Sequence, residues 1–112
     1  MDRMQALRQR LERELQETQA RIAQLRERLE TKGDYGPGRG DPAIFQWELN
    51  LAMLQRAEDQ ATQVRDALAR LDAGTYGICQ KCGQPIDEER LELLPLTTYC
   101  IRCAQSTRSG RG

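Results

Sequence analysis

Cys79-Gln80-Lys81-Cys82 and Cys100-Ile101-Arg102-Cys103 hold all four cysteines of this 112-residue chain. They form two C-x₂-C pairs around a spacer of about 17 residues, the spacing of a four-thiolate metal site. Each pair can turn two sulfurs toward one metal, and the spacer can return the chain with the other two. Zinc accepts four sulfurs tetrahedrally at about 2.3 Å, and four protein ligands leave no position open for substrate or water. One structural Zn2+ held by Cys79, Cys82, Cys100 and Cys103 is therefore expected. Disulfides and iron are the alternatives, since four sulfurs also suit iron chemistry. Met1-Asp2-Arg3 has no apolar run behind it that would resemble a signal peptide, so a reducing, cytoplasmic setting is expected and disfavours disulfides. A thioredoxin-like redox pair would need a βαβ context that the sequence does not offer. Gly83 follows Cys82 where a metal knuckle wants a residue tolerant of positive φ. Lys81 and Arg102 lie inside the pairs and can offset the negative charge of a metal tetrathiolate.

Working outward, the totals limit what else the chain can be. Its 17 Lys and Arg balance its 17 Asp and Glu. No overall field draws it to nucleic acid or to an anionic membrane. No apolar run approaches the ~20 residues that span a bilayer. Aromatic residues are few and charged ones many, which suits long surface helices better than a thick core. There is no histidine, so the commonest general base and the Ser-His and Cys-His nucleophile pairs are missing. An enzyme is not expected.

From about Arg3 to Thr31 the pattern is helical. Met4, Leu7, Leu11, Leu15, Ile22, Leu25 and Leu29 recur at steps of three or four, or their sum, among good helix formers. Thr31 to Gly40 is rich in glycine and reads as a turn. Asp41-Pro42 then restarts a helix: Asp41 can cap free N–H groups, and Pro42 suits the first helical position. The second stripe is Ile44, Trp47, Leu51, Leu54, Ala57, Ala61, Val64, Leu68 and Leu71, and Gly74 ends it. Each helix has about 30 residues and a length of about 45 Å. Two matched amphipathic helices joined by a short turn predict an antiparallel hairpin with a coiled-coil seam, one step of which is irregular in each helix. Ile44 and Phe45 point about 100° apart, so one of them should be exposed near the turn.

The expected fold is mainly α. A long antiparallel two-helix hairpin occupies 1–73, with helices at about 3–31 and 42–73 and a turn at 32–41. A small four-cysteine zinc finger follows at 74–105. Pro85-Ile86 and Leu91 to Leu96 should fill its metal loop, and a short helix should run from Ile101 to about Thr107. A flexible tail, 106–112, ends the chain. A structural zinc contributes about 10–16 kcal/mol in small finger peptides and should clamp the base of the hairpin. A narrow helix pair offers no concavity for a substrate but suits probing an opening in a larger partner.

The run Gly74-Thr75-Tyr76-Gly77-Ile78-Cys79-x-x-Cys82-Gly83-x-x-Ile86, then Arg90-Leu91, Pro95 and Cys100-x-x-Cys103, resembles the DksA/TraR family of bacterial transcription factors. The likeness covers about Asp41 to Cys103, and the first helix matches only in kind. It implies a coiled-coil arm on a four-cysteine zinc base. It also implies a mode of action, in which the arm enters the secondary channel of bacterial RNA polymerase and alters initiation without binding promoter DNA specifically. By that resemblance Asp41 is the tip carboxylate presented near the polymerase active centre. Ile44 stands where many members carry a second acid, and Asp34, across the turn, is the candidate replacement. Arg56 matches a basic arm position and is expected to contact polymerase. Members that respond to guanosine tetraphosphate carry basic residues at positions that here are Gln63, Leu94 and Ala104, so no response through that site is expected.

Two other readings remain. A zinc-ribbon nucleic-acid binder would need a basic face, but Lys81, Arg90 and Arg102 are offset by Asp87, Glu88, Glu89 and Glu92. A coiled-coil adaptor would dimerise through its stripe, whereas a hairpin that satisfies its own seam should be a monomer when free.

Overall fold

The computed structural model describes residues 3–30 and 42–110, with side chains described up to residue 106. The described residues form four helices: α1 (Arg3–Glu30), α2 (Pro42–Ala73), α3 (Glu88–Leu93) and α4 (Ile101–Gly110). An isolated antiparallel bridge pairs Ile78 with Pro85, and no strand is formed among the described residues. The chain divides into two compact units, Met1–Arg65 and Asp66–Gly112, and α2 contributes to both.

In the first unit α1 and α2 pack antiparallel. Ile22 and Leu25 of α1 form one buried cluster with Leu54, Ala57 and Ala61 of α2, and Leu15 and Leu29 pack against it. Large residues on one helix thus meet small ones on the other, so the helices interdigitate. Ala57 and Ala61 are 5% and 1% exposed, so both are covered by the seam. Arg26 donates to Glu58 across the pair at 2.7 Å. Gln60 donates to the Glu14 carboxylate.

The stripes match the expected ones with three shifts. The missing step of α1 is filled by Thr18, which is buried although polar. On α2 the buried positions include Asn50 and Ala67, while Leu51 and Leu68 beside them are only half-buried. Successive seam positions drift round a helix of 3.6 residues per turn, so apolar identity alone does not fix which neighbour faces inward. Asn50 accepts a hydrogen bond from Gln46 one turn earlier, at 3.4 Å. Met4, expected in the seam, is 49% exposed, one residue into α1. Phe45 is the exposed member of its pair, and Ile44 is half-buried.

In the second unit α2 closes on a Schellman motif. Gly74, at a φ of 78°, donates to Leu71 O, and Thr75 donates to Arg70 O at 2.9 Å. The loop after it carries α3, where the sequence predicts only filling of the metal loop. Its start signal is present: Asp87 stands at the N-cap and Glu88 and Glu89 occupy the first turn, where carboxylates favour the helix dipole. Forming α3 turns only Leu91 inward. Leu93 and Leu94 do not fill the loop, being 80% and 49% exposed. α4 runs to Gly110, past the expected end near Thr107. No helix among the described residues is long and apolar enough to cross a membrane.

Candidate metal centre

The first cysteine pair sits on a tight turn between the residues of the bridge. Cys79 donates its N–H to Gln84 O at 2.8 Å, Gly83 donates to Cys79 O at 2.9 Å, and Ile86 donates to Gly77 O at 2.7 Å. Gly83 has a φ of 78°, as its place after Cys82 requires. The second pair opens α4: Cys100 precedes the helix and Cys103 lies in its first turn. The Ala104 N–H reaches Cys100 O at 2.9 Å, and the Cys103 N–H points to Cys100 Sγ at 3.5 Å.

Three bonds tie the two halves of the site together. Gln80 N–H donates to Thr98 O at 2.8 Å, which joins the first knuckle to the strap before the second. The buried Tyr76 donates its hydroxyl to Pro95 O at 2.7 Å. Arg90 Nε donates to Tyr99 O at 3.0 Å. Tyr76, Arg90 and Pro95 stood in the sequence as motif residues with no role attached. Their task is positional, since each holds the spacer so that the second pair returns to the first. Underneath, Cys79, Ile86 and Cys103 form a buried cluster with Leu91 packed against it.

All four sulfurs lie within 4.8 Å of one another. Cys82 Sγ and Cys100 Sγ are 3.8 Å apart. A tetrahedron with metal–sulfur bonds of about 2.3 Å has edges of about 3.8 Å, so the sulfurs fit one four-coordinate metal. None of the four is in a disulfide, whose sulfurs would stand about 2.05 Å apart. Cys79 and Cys103 are buried and Cys82 is exposed, so the site lies at the surface with two ligands rooted in the core.

The thiols do not titrate alike. Burial pushes the Cys79 thiol up, but backbone N–H groups of Cys100, Cys82 and Lys81 outweigh it and bring it down to about 6. Lys81 thus acts on Cys79 through its backbone, while its side chain stays exposed. The Cys103 N–H lowers Cys100 against the opposing effect of burial. Burial first, and then the sulfurs of Cys100, Cys79 and Cys82, push Cys103 up to about 12. Packing four sulfurs this closely makes the last proton hard to remove. A cation at their centre supplies the missing compensation.

The other predicted site residues fall elsewhere. Arg56 and Gln63 are exposed on α2. Leu94 follows α3 and is exposed, and Ala104 is half-buried on α4. Asp34 and Asp41 lie outside the described residues.

Residues 74–107 match the profile described as prokaryotic dksA/traR C4-type zinc finger. An uncharacterized protein of Aquifex aeolicus is 46% identical over 46 residues, covering 41% of this chain and 32% of that protein. The RNA polymerase-binding transcription factor DksA of Haemophilus influenzae is 30% identical over 69 residues, covering 60% of this chain and 48% of that protein. The matches thus span a third to a half of these two curated relatives. The solved structure of transcription factor DksA2 from Pseudomonas aeruginosa superposes with a TM-score of 0.80 at 32% identity, covering 94% of this chain and 82% of that one. The metal is accordingly a single structural zinc on Cys79, Cys82, Cys100 and Cys103. The likeness runs through the helices as well as the cysteine knuckles, and the chain belongs to the DksA/TraR family of C4-type zinc-finger proteins.

Proposed function

We propose that this protein is a cytoplasmic RNA polymerase-binding regulator of transcription, monomeric when free. The end of the arm formed by α1 and α2, around residues 31–41, enters the secondary channel of bacterial polymerase and modulates initiation, without sequence-specific DNA binding and without catalysis of its own. The observation that carries this reading is the likeness to DksA2 over 94% of the chain. It extends beyond the zinc finger to the helix pair that would make the insertion. The name of the Haemophilus relative, an RNA polymerase-binding transcription factor, points the same way.

In this reading Asp41 is the tip carboxylate, Asp34 and Ile44 flank it, and Arg56 holds the arm to polymerase. The exposure of Arg56 leaves it available for that contact. Gln63, Leu94 and Ala104 give a polyphosphate nothing cationic to bind, so regulation is independent of guanosine tetraphosphate at that site.

The test is a pull-down with core RNA polymerase followed by in vitro transcription. Wild-type protein is expected to bind, Asp41→Ala to bind but lose its regulatory effect, and Arg56→Ala to bind less well. Failure of the wild type to bind would overturn the reading. A steep salt dependence of binding to bare DNA would favour the nucleic-acid alternative instead.

A further inference from the structure

The seam between α1 and α2 leaves a groove of about 370 Å³ along one side, lined by Arg10, Arg13, Glu14, Glu17, Thr18, Arg21 and Gln60. Its volume falls in the range of small-molecule sites, but every lining residue is polar or charged, so it does not suit a hydrophobic ligand. All but Gln60 come from α1, at steps of three and one, which puts them on one side of that helix. Thr18 lies deepest, being polar yet only 2% exposed. The three arginines are exposed at the rim.

The charges of this groove are only partly spent. Gln60 donates to the Glu14 carboxylate, and Arg10 is engaged within the chain. Neither Arg13 nor Arg21 forms an ion pair among the described residues. The two stand about 12 Å apart along α1, a gap that their long side chains can close over Thr18. The groove on the other side of the seam differs, because its Arg26 is already paired with Glu58 at 2.7 Å. Two free guanidiniums call for two negative charges. A phosphate monoester carries about −1.5 to −2 at neutral pH and accepts the bidentate hydrogen bonds of a guanidinium fork. Glu17 stands between the two arginines and is exposed. It repels a bare anion but accepts hydrogen bonds from hydroxyl groups. No aromatic side chain lines the groove to stack a nucleobase.

We propose that this groove binds a small polyhydroxylated phosphate monoester, of the sugar-phosphate class. Arg13 and Arg21 hold the phosphate, and Glu17 and the Thr18 hydroxyl meet the hydroxyl groups of the ligand. Because Gln60 of α2 completes the lining, an occupied groove ties the two helices together and stabilises the pair by linkage. The site does not depend on the polymerase reading, and it uses none of Gln63, Leu94 and Ala104.

The experiment uses the full-length, zinc-loaded chain, with glucose 6-phosphate as the probe. Nuclear magnetic resonance titration follows the arginine Nε–H signals, and calorimetry gives the affinity. Saturable shifts of Arg13 and Arg21 are expected. Affinity should fall at least about tenfold in Arg13→Gln/Arg21→Gln and stay unchanged in the opposite-groove control Arg26→Gln. Glutamine keeps α1 helical, and circular dichroism and zinc stoichiometry confirm equal folding. Inorganic phosphate should bind more weakly than the probe, and Glu17→Gln should narrow that difference. Absence of saturable binding, or equal binding by the double variant, would overturn the site. Binding of inorganic phosphate or adenosine monophosphate as tight as that of the probe would overturn the ligand class.

Discussion

Gly77→Ala isolates one packing decision in the zinc unit. Gly77 and Gly83 both occupy the left-handed region, at φ of 85° and 78°. Placing an L side chain there costs about 1–2 kcal/mol, partly offset by the lower entropy of the unfolded alanine chain. At Gly83 nothing stands within 4 Å of a new Cβ, whereas at Gly77 Leu91 Cδ1 would stand at 3.3 Å. Leu91 could swing away only by leaving the cluster of Cys79, Ile86 and Cys103 against which it packs. Driving it off its rotamer costs a further ~0.5–1.5 kcal/mol. Gly83→Ala should therefore cost about 1 kcal/mol and Gly77→Ala about 1.5–2.5 kcal/mol. Metal binding and folding of such a unit are linked, so these become losses in zinc affinity of about fivefold and about 10–60-fold. Zinc competition against a chromophoric chelator reads both. Repeating Gly77→Ala in a Leu91→Ala background should remove the excess, since a double-mutant cycle reports the coupling of the pair. Equal losses at the two glycines, or an excess that survives without Leu91, would refute the assignment to Leu91.

Other consequences can be measured separately. Ala61→Leu forces a large side chain into the closely packed seam and should lower stability by about 1–3 kcal/mol in chemical denaturation. Glu58→Ala should change it by no more than about 0.5 kcal/mol, because its bond to Arg26 joins side chains 42% and 60% exposed that water and salt screen. The metal-free, reduced zinc unit should be most stable near pH 9. Cys79, held at about 6 against an ordinary 9.0, loses its contribution as pH falls through 6; Cys103, raised to about 12, loses its own as pH rises from 9.0 toward 12. Zinc must expel the Cys103 proton, so apparent zinc affinity should rise about tenfold per pH unit for each proton displaced between pH 6 and 9. Calorimetry in buffers of differing ionisation enthalpy checks this, and a flat profile would contradict it.

The metal ligands were legible because metal chemistry is local in sequence: a C-x₂-C pair needs only its own turn, and Gly83 announces that turn. The helix bounds were legible for a similar reason. Pro42 can start a helix but not continue one, and Gly74 supplies the positive φ that closes one. What pairs with what across space was not. Thr18 and Asn50 are seam residues by position and not by polarity, so an apolar stripe passes them over. α3 was hidden because Glu88-Glu89-Arg90-Leu91 is one short turn whose acidic start is a weak signal beside the adjacent cysteines.

By itself the sequence determined four sulfur ligands and two long amphipathic helices, since each depends on residues a few positions apart. Only the tertiary structure decided that Tyr76, Gln80 and Arg90 brace the spacer and that Leu91 packs on the cysteine cluster while Leu93 and Leu94 stay exposed. It also left Phe45, Leu49 and Met53 exposed. Burial is shared between distant segments, and no local pattern says which of two apolar faces its neighbour will cover.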